Sequence, residues 1–203
     1  MRAQDVMTSP VATASPGQPV KEIAALLADH GFTAAPVVDD GHLVGMVTEA
    51  DVLRDRIPVD ARSRIWDYNA TDVHPALTVA EVMSTPAVAI TPGTDCAAIA
   101  RMMLDDHVRA VPVVDGGHGV VGIVTRRDLL RAIATDDTTV LTAVRSRLAA
   151  YGGAGRWSVT VHDGLVEIVD DFDDATDRHV AKVIAESVPG VAEVRVRSRA
   201  SAR

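Results

Sequence analysis

Two pairs of side chains, Thr48 with Asp51 and Thr125 with Asp128, set a hydroxyl and a carboxylate three residues apart where an apolar run ends. A threonine followed at the third position by an acid caps a helix. The hydroxyl takes an amide hydrogen of the first turn, and the carboxylate takes the threonine's own amide. The same pair has a chemical use. A carboxylate at a helix start accepts both hydrogens of a ribose diol while the helix N-terminus faces phosphate. Capping and ligand binding are compatible in one residue pair.

Both pairs belong to a duplication. Gly45-Met46-Val47-Thr48-Glu49-Ala50-Asp51-Val52-Leu53-Arg54 returns as Gly122-Ile123-Val124-Thr125-Arg126-Arg127-Asp128-Leu129-Leu130-Arg131. Upstream, Pro36-Val37-Val38-Asp39 answers to Pro112-Val113-Val114-Asp115, Pro16-Gly17 to Pro92-Gly93, and Asp5-Val6-Met7 to Glu81-Val82-Met83. The offset is 76 residues up to Gly41 and Gly117 and 77 from the next glycine pair, so one extra residue sits in a turn of the second copy. Regularity of this kind is structural repetition.

The elements that position the motif follow from periodicity. Val20, Ile23, Ala24 and Leu27 fall on one face of a helix, with Gln18 as the expected cap and Pro19 at the first helical position. The second copy repeats the stripe as Cys96, Ile99, Ala100 and Met103, with Thr94 as cap. A strand over 34–38, a turn at Asp39-Asp40-Gly41 and a strand over 43–47 form a hairpin that runs into a helix from Thr48 to about Arg56. With an extended segment over 10–14 in front, each repeat reads β-α-β-β-α. Two such units cover each other's sheets. Residues 58–77 read as an irregular crossover. Beyond Asp137 the pattern changes to α-β-β-α-β: a helix over 139–150, strands around the Asp163-Gly164 turn, a helix over 174–187 and a strand over 191–197.

At 203 residues the chain has room for two units, each with its own core. No apolar run approaches the length that spans a bilayer, and the N-terminus lacks a secretory pattern, so the expected location is the cytoplasm. The net charge of −8 is concentrated in residues 1–136, which carry 18 acids against 11 bases, and aromatics are 3% of the chain. Both features argue against nucleic acid as partner. A single cysteine, Cys96, excludes a disulfide framework within the chain. The seven histidines show no ligand spacing, so no metal is expected. Tyr151-Gly152-Gly153-Ala154-Gly155 lacks the lysine of a phosphate loop and reads as a helix stop. No serine or cysteine sits where a nucleophile is activated, so no catalytic residue is expected. Arg195, Arg197 and Arg199 line one side of the last strand, as its wet face or a defended edge, with phosphate contact the alternative.

The doubled Gly-φ-φ-Thr-x-x-Asp motif (φ apolar), preceded each time by Pro-Val-Val-Asp, resembles a tandem pair of cystathionine-β-synthase-type (CBS) domains over residues 1–135. The resemblance implies an α/β fold of two β-α-β-β-α repeats, 1–57 and 78–135, in a pseudo-twofold arrangement. It also implies adenosine nucleotides in the clefts between repeats. One site would combine Met46, Thr48 and Asp51 with Thr85, Pro86, Val108 and Arg109; its mate would combine Ile123, Thr125 and Asp128 with Ser9, Pro10, Phe32 and Thr33. The sites differ in charge: the first has Arg109 but Glu49 at its helix start, the second Arg126 and Arg127 there and neutral Thr33 opposite. AMP and ATP both stay open.

The C-terminal run resembles a BON domain over 138–198, on the Asp163-Gly164 turn, Val166-x-Ile168 and Val188-Pro189-Gly190-Val191-x-x-Val194. Such domains are associated with phospholipid surfaces or protein contacts. Here Asp170, Asp171, Asp173 and Asp174 would repel an anionic membrane and read as a solvated helix start. The resemblances together imply a non-catalytic regulatory protein, homodimeric through its CBS helices. It would bind AMP, ADP or ATP and relay this to a BON domain that contacts an unknown protein partner. The alternatives are a scaffold with empty clefts, in which the Thr/Asp pairs only cap helices, and a sensor of S-adenosylmethionine.

Overall fold

Each apolar stripe of the sequence is buried, and each hairpin forms. The computed structural model describes residues 1–54, 56–57, 75–172 and 174–199, so the expected crossover at 58–77 lies, apart from its last three residues, outside the described residues. A 3-10 turn over Ala3–Asp5 is followed by α1 (Val20–His30), β1 (Ala34–Asp39), β2 (His42–Thr48), α2 (Glu49–Leu53), α3 (Val79–Val82), α4 (Cys96–Asp105), β3 (Ala110–Val114), β4 (Val120–Thr125) and α5 (Arg126–Ile133). The C-terminal run is α6 (Asp137–Gly152), β5 (Trp157–His162), β6 (Leu165–Asp170), α7 (Ala175–Glu186) and β7 (Glu193–Ser198). Among the described residues no helix is long and apolar enough to cross a membrane.

The chain forms two compact units whose division cuts through the second repeat. One comprises Thr8–Pro92 with Asp106–Ile123; the other comprises Met1–Met7, Gly93–Asp105 and Val124–Arg203.

In the first unit, Val20, Ile23 and Leu27 of α1 are buried against Ala35, Val37, Val47 and Val79. Full burial of an aliphatic side chain of this size contributes about 1.5–3 kcal/mol. The helix starts one residue later than its stripe suggested, because Pro19 keeps an extended ψ of 135° and occupies the cap position itself. Gln18 is no cap; its side chain accepts the Ser15 amide at 3.4 Å. β1 and β2 pair antiparallel around Asp40 and Gly41, both at positive φ, with one irregularity between Val37 and Val38. The strand expected over 10–14 is reduced to a parallel bridge, in which the Ala14 amide donates to the Pro36 carbonyl at 2.9 Å and Val38 donates back to Ala14 at 2.8 Å. The second copy matches it with a bridge from Ile90 to Val113. β3 and β4 form the second hairpin. Met46, Ala110 and Ile123 pack together, so the two hairpins share an apolar contact.

In the second unit, Asp95 stands just before α4 and accepts the Ala97 amide at 3.4 Å. Cys96 is buried, and burial raises its thiol pKa, which suits a packing residue. α6 begins two residues before the expected start because Asp136 caps it, accepting the Thr139 amide at 2.9 Å. β5 and β6 are antiparallel, β6 and β7 parallel, and α6 and α7 bury one face of the sheet around Val144, Leu148, Ile168 and Ala181.

One expectation about charge is corrected here. Asp170 is not part of a solvated helix start. It is fully buried, and the Arg156 guanidinium grips it at 2.9 Å through both Nε and Nη2. Arg156 also bonds Asp177 at 2.6 Å and stacks over Trp157 and Phe172. Of the acid run, Asp174 caps α7 and Asp171 pairs with Arg199 at 3.1 Å; Asp173 lies outside the described residues. The arginine row is indeed on the wet face, but paired: Arg195 meets Glu193 at 2.8 Å and Arg197 meets Glu167 at 3.7 Å.

Candidate functional site

The first motif is built around a close approach. The segment at Ser84 lies along β2, with the Met46 amide donating to the Ser84 carbonyl at 3.1 Å and the Ser84 amide to Met46 at 2.8 Å. A Cβ on Gly45 would stand 2.9 Å from Met83 Sδ and 3.0 Å from the Ser84 carbonyl oxygen, so only glycine lets this segment in. Three residues on, at Thr48, β2 ends and the cap forms. Asp51 Oδ2 accepts the Thr48 amide at 2.9 Å and the Thr48 hydroxyl at 2.7 Å, and the Asp51 amide donates to Thr48 Oγ1 at 3.3 Å. The Glu49 amide donates to the Thr33 carbonyl at 3.1 Å, tying the start of β1 to the start of α2.

Beside this cap opens a cleft of about 440 Å³, lined by parts of both repeats. Met46 and Thr48 come from the end of β2, Glu49 and Ala50 from the start of α2, and Thr33 and Ala34 from the start of β1. Opposite them stand Ser84, Pro86, Ala87 and Val88 from the extended segment, and His107 to Ala110 leading into β3. A volume between about 300 and 1,000 Å³, mostly apolar with a few polar groups, is what small-molecule sites offer. Of the first expected set, Met46, Thr48, Pro86, Val108 and Arg109 line the cleft. Asp51 stands behind Thr48 in the cap, its Oδ1 outside the capping bonds. Thr85 is not among the lining residues; its methyl group packs toward Gly45.

Thr33, expected in the second set, lines this cleft. Sequence reasoning also passed over His107, Ser84, Ala87 and Val88. The signal for His107 was available in its place just before Val108, but its positive φ of 56° was not.

The second set is divided between the two units. Ile123 pairs with Thr8 through bonds of 2.9 and 3.1 Å, beside Ser9 and Pro10, and Phe32 stacks on His30 at 5.1 Å. Thr125 and Asp128 belong to the other unit and repeat the cap with bonds of 2.9, 2.6 and 3.3 Å. Two features distinguish this cap. Asp128 is 6% exposed, and its Oδ1 receives Arg131 Nη1 at 3.3 Å. Arg126 donates to the Met103 carbonyl and is thereby held against α4. A further hollow, of about 490 Å³ beside Arg145 and Trp157, offers little chemistry, since the Arg145 guanidinium is already bonded to the Val159 carbonyl at 3.0 Å. Among the described residues no group of three or more His, Cys, Asp or Glu could hold a metal ion.

Known proteins with this arrangement share its first two thirds. The CBS domain family model matches residues 3–57 and 79–135, more than half of the chain. The CBS domain-containing protein YhcV of Bacillus subtilis is 35% identical over 62% of this chain and 81% of its own length. Against several other curated relatives the chain spans less than half of their length. Among solved structures, the CBS domain pair of protein MJ0100, in complex with 5′-methylthioadenosine and S-adenosyl-L-methionine, is 27% identical at a TM-score of 0.52, covering 66% of this chain and 96% of that one. CBSX2 in complex with AMP is 27% identical at a TM-score of 0.53, covering 64% and 94%. Both matched stretches carry the Gly-φ-φ-Thr-x-x-Asp motif with its cap formed, and on that ground the chain belongs to the CBS-domain family, with the domain present twice in tandem.

Proposed function

We propose that the protein is a non-catalytic sensor of an adenosine ligand in the cytoplasm, binding it in the cleft beside Thr48. The observation that carries this reading is the cleft itself: an apolar slot under Met46, Pro86 and Val108, with the Thr48 hydroxyl and the Arg109 guanidinium on its walls. Adenine suits the apolar slot, Asp51 Oδ1, which makes none of the capping bonds, suits a ribose hydroxyl, and Arg109 suits an anionic 5′ group. AMP in CBSX2 and 5′-methylthioadenosine with S-adenosyl-L-methionine in MJ0100 support the ligand class. In the second repeat the Asp128 carboxylate is less open to a ligand, because Arg131 already meets its Oδ1.

AMP at a hundred times its dissociation constant should stabilise the fold by about 2.7 kcal/mol. Asp51→Asn keeps an acceptor for the cap but loses the charge, and should weaken AMP about tenfold with little change in the unliganded melting temperature. If millimolar AMP leaves wild-type melting unmoved, the sensing reading is lost.

The repeats, 1–57 and 78–135, are proposed to act in a pseudo-twofold pair joined by 58–77, with residues 138–198 as a BON-type output domain. The helices offer a dimer surface: α4 and α5 leave Leu104, Leu130 and Ile133 exposed, and α2 leaves Leu53 exposed. Light scattering at micromolar concentration should report twice the 21.4 kDa of one chain, and a monomeric mass would remove the dimer from the proposal.

A further inference from the structure

We infer that Glu49 limits the cleft to adenosine ligands with a single phosphate and turns away ATP. The inference rests on the cleft being an adenosine site and adds which member of that class it takes. Glu49 and Arg109 are the charged residues that line the cleft, apart from the titratable His107, and neither makes an ion pair among the described residues. Their charges cancel, so the cleft as a whole carries no surplus for a polyphosphate.

The backbone does not make up the deficit. Two amides of the first turn of α2 are already used, Glu49 by the Thr33 carbonyl and Asp51 by Thr48 Oγ1. The helix is also only five residues long, too short to present much of a dipole. One phosphate can be gripped through two N–H groups of Arg109. A second and third would add negative charge beside the Glu49 carboxylate with no further cation to meet them. Like charges within one cleft repel, and a repulsive group against the wrong ligand is an efficient source of selectivity. In the duplicated sequence Glu49 answers to Arg126, so the acid is not a feature that both repeats share.

The test is calorimetric titration of the full chain with adenosine, AMP and ATP, with divalent cations removed so that the phosphates keep their charge. The wild type should bind AMP about tenfold more tightly than ATP. Glu49→Gln should bring ATP to within about twofold of AMP, with adenosine titrated alongside to show that the cleft still binds. Arg109→Ala should abolish the advantage of AMP over adenosine. An AMP-to-ATP ratio that Glu49→Gln does not alter, with adenosine still bound, overturns the selectivity alone. Failure of adenosine itself to bind overturns the adenosine site and the selectivity together.

Discussion

Asp170→Ala should be among the most damaging single changes in the chain, costing about 3 kcal/mol, because it strips a charge from a buried pair and leaves its partner behind. The figure lies at the low end for such pairs because Arg156 retains Asp177 at 2.6 Å. The arrangement follows from strand register. Trp157 pairs with Asp170 across β5 and β6, which brings the neighbouring Arg156 to the carboxylate from the sheet end, where Trp157 and Phe172 cover its guanidinium. Burial alone would raise the Asp170 pKa. The paired bonds from Arg156, with the Phe172 amide at 3.1 Å, outweigh it and hold the carboxyl below the ordinary range. A carboxyl depressed in the fold lends stability that is complete above its unfolded value near about 3.9 and disappears as pH falls through the folded value. Urea denaturation should therefore find the gap between wild type and Asp170→Ala constant from pH 7 to pH 5 and narrowing only below about pH 4. A gap that closes already at pH 6 would show that the pair is not what holds this corner.

Gly190→Ala should cost a comparable amount, about 3 kcal/mol, and should do so at the joint between α5 and the C-terminal elements. Gly190 has φ of +90°, and a Cβ there would come 2.7 Å from Val140 Cγ2 and 2.8 Å from Thr135 Cβ. The joint is closed on its other side by Asp137, whose carboxylate accepts the Gly164 amide at 3.0 Å and the Asp163 amide at 2.7 Å; those bonds lower its pKa. α5 starts at the Thr125–Asp128 cap and ends in this joint, so we expect a displacement at its first turn to be handed on and not absorbed in a linker. Hydrogen exchange over 138–198 in the full chain should respond to AMP in the wild type and respond less in Gly190→Ala. Exchange indifferent to AMP in both proteins would leave the C-terminal elements merely tethered.

What could be read from sequence was whatever is local and repeated. The Thr48–Asp51 and Thr125–Asp128 caps, the hairpins and the buried stripes all depend on residues within a few positions of one another, and the duplication supplies each observation twice. Boundaries slipped where one backbone angle decided them, as at Pro19, or where a carboxylate capped a helix ahead of its expected start, as at Asp136. The charge of the C-terminal elements was misread for a different reason. Asp170 looked solvated beside Asp171 and Asp174 because its partner lies fourteen residues back and meets it only through strand pairing. The cleft was legible through its motif, yet Thr33 reached it through the Glu49 amide, a contact that neither period nor motif encodes.

A crystal structure of the protein with AMP tests the central claim most directly. The account predicts the adenine against Met46 and Val108, a ribose hydroxyl on Asp51 Oδ1 beside Thr48, and the phosphate on Arg109. AMP bound with none of these residues in contact, or a cleft left without AMP at millimolar ligand, would contradict it.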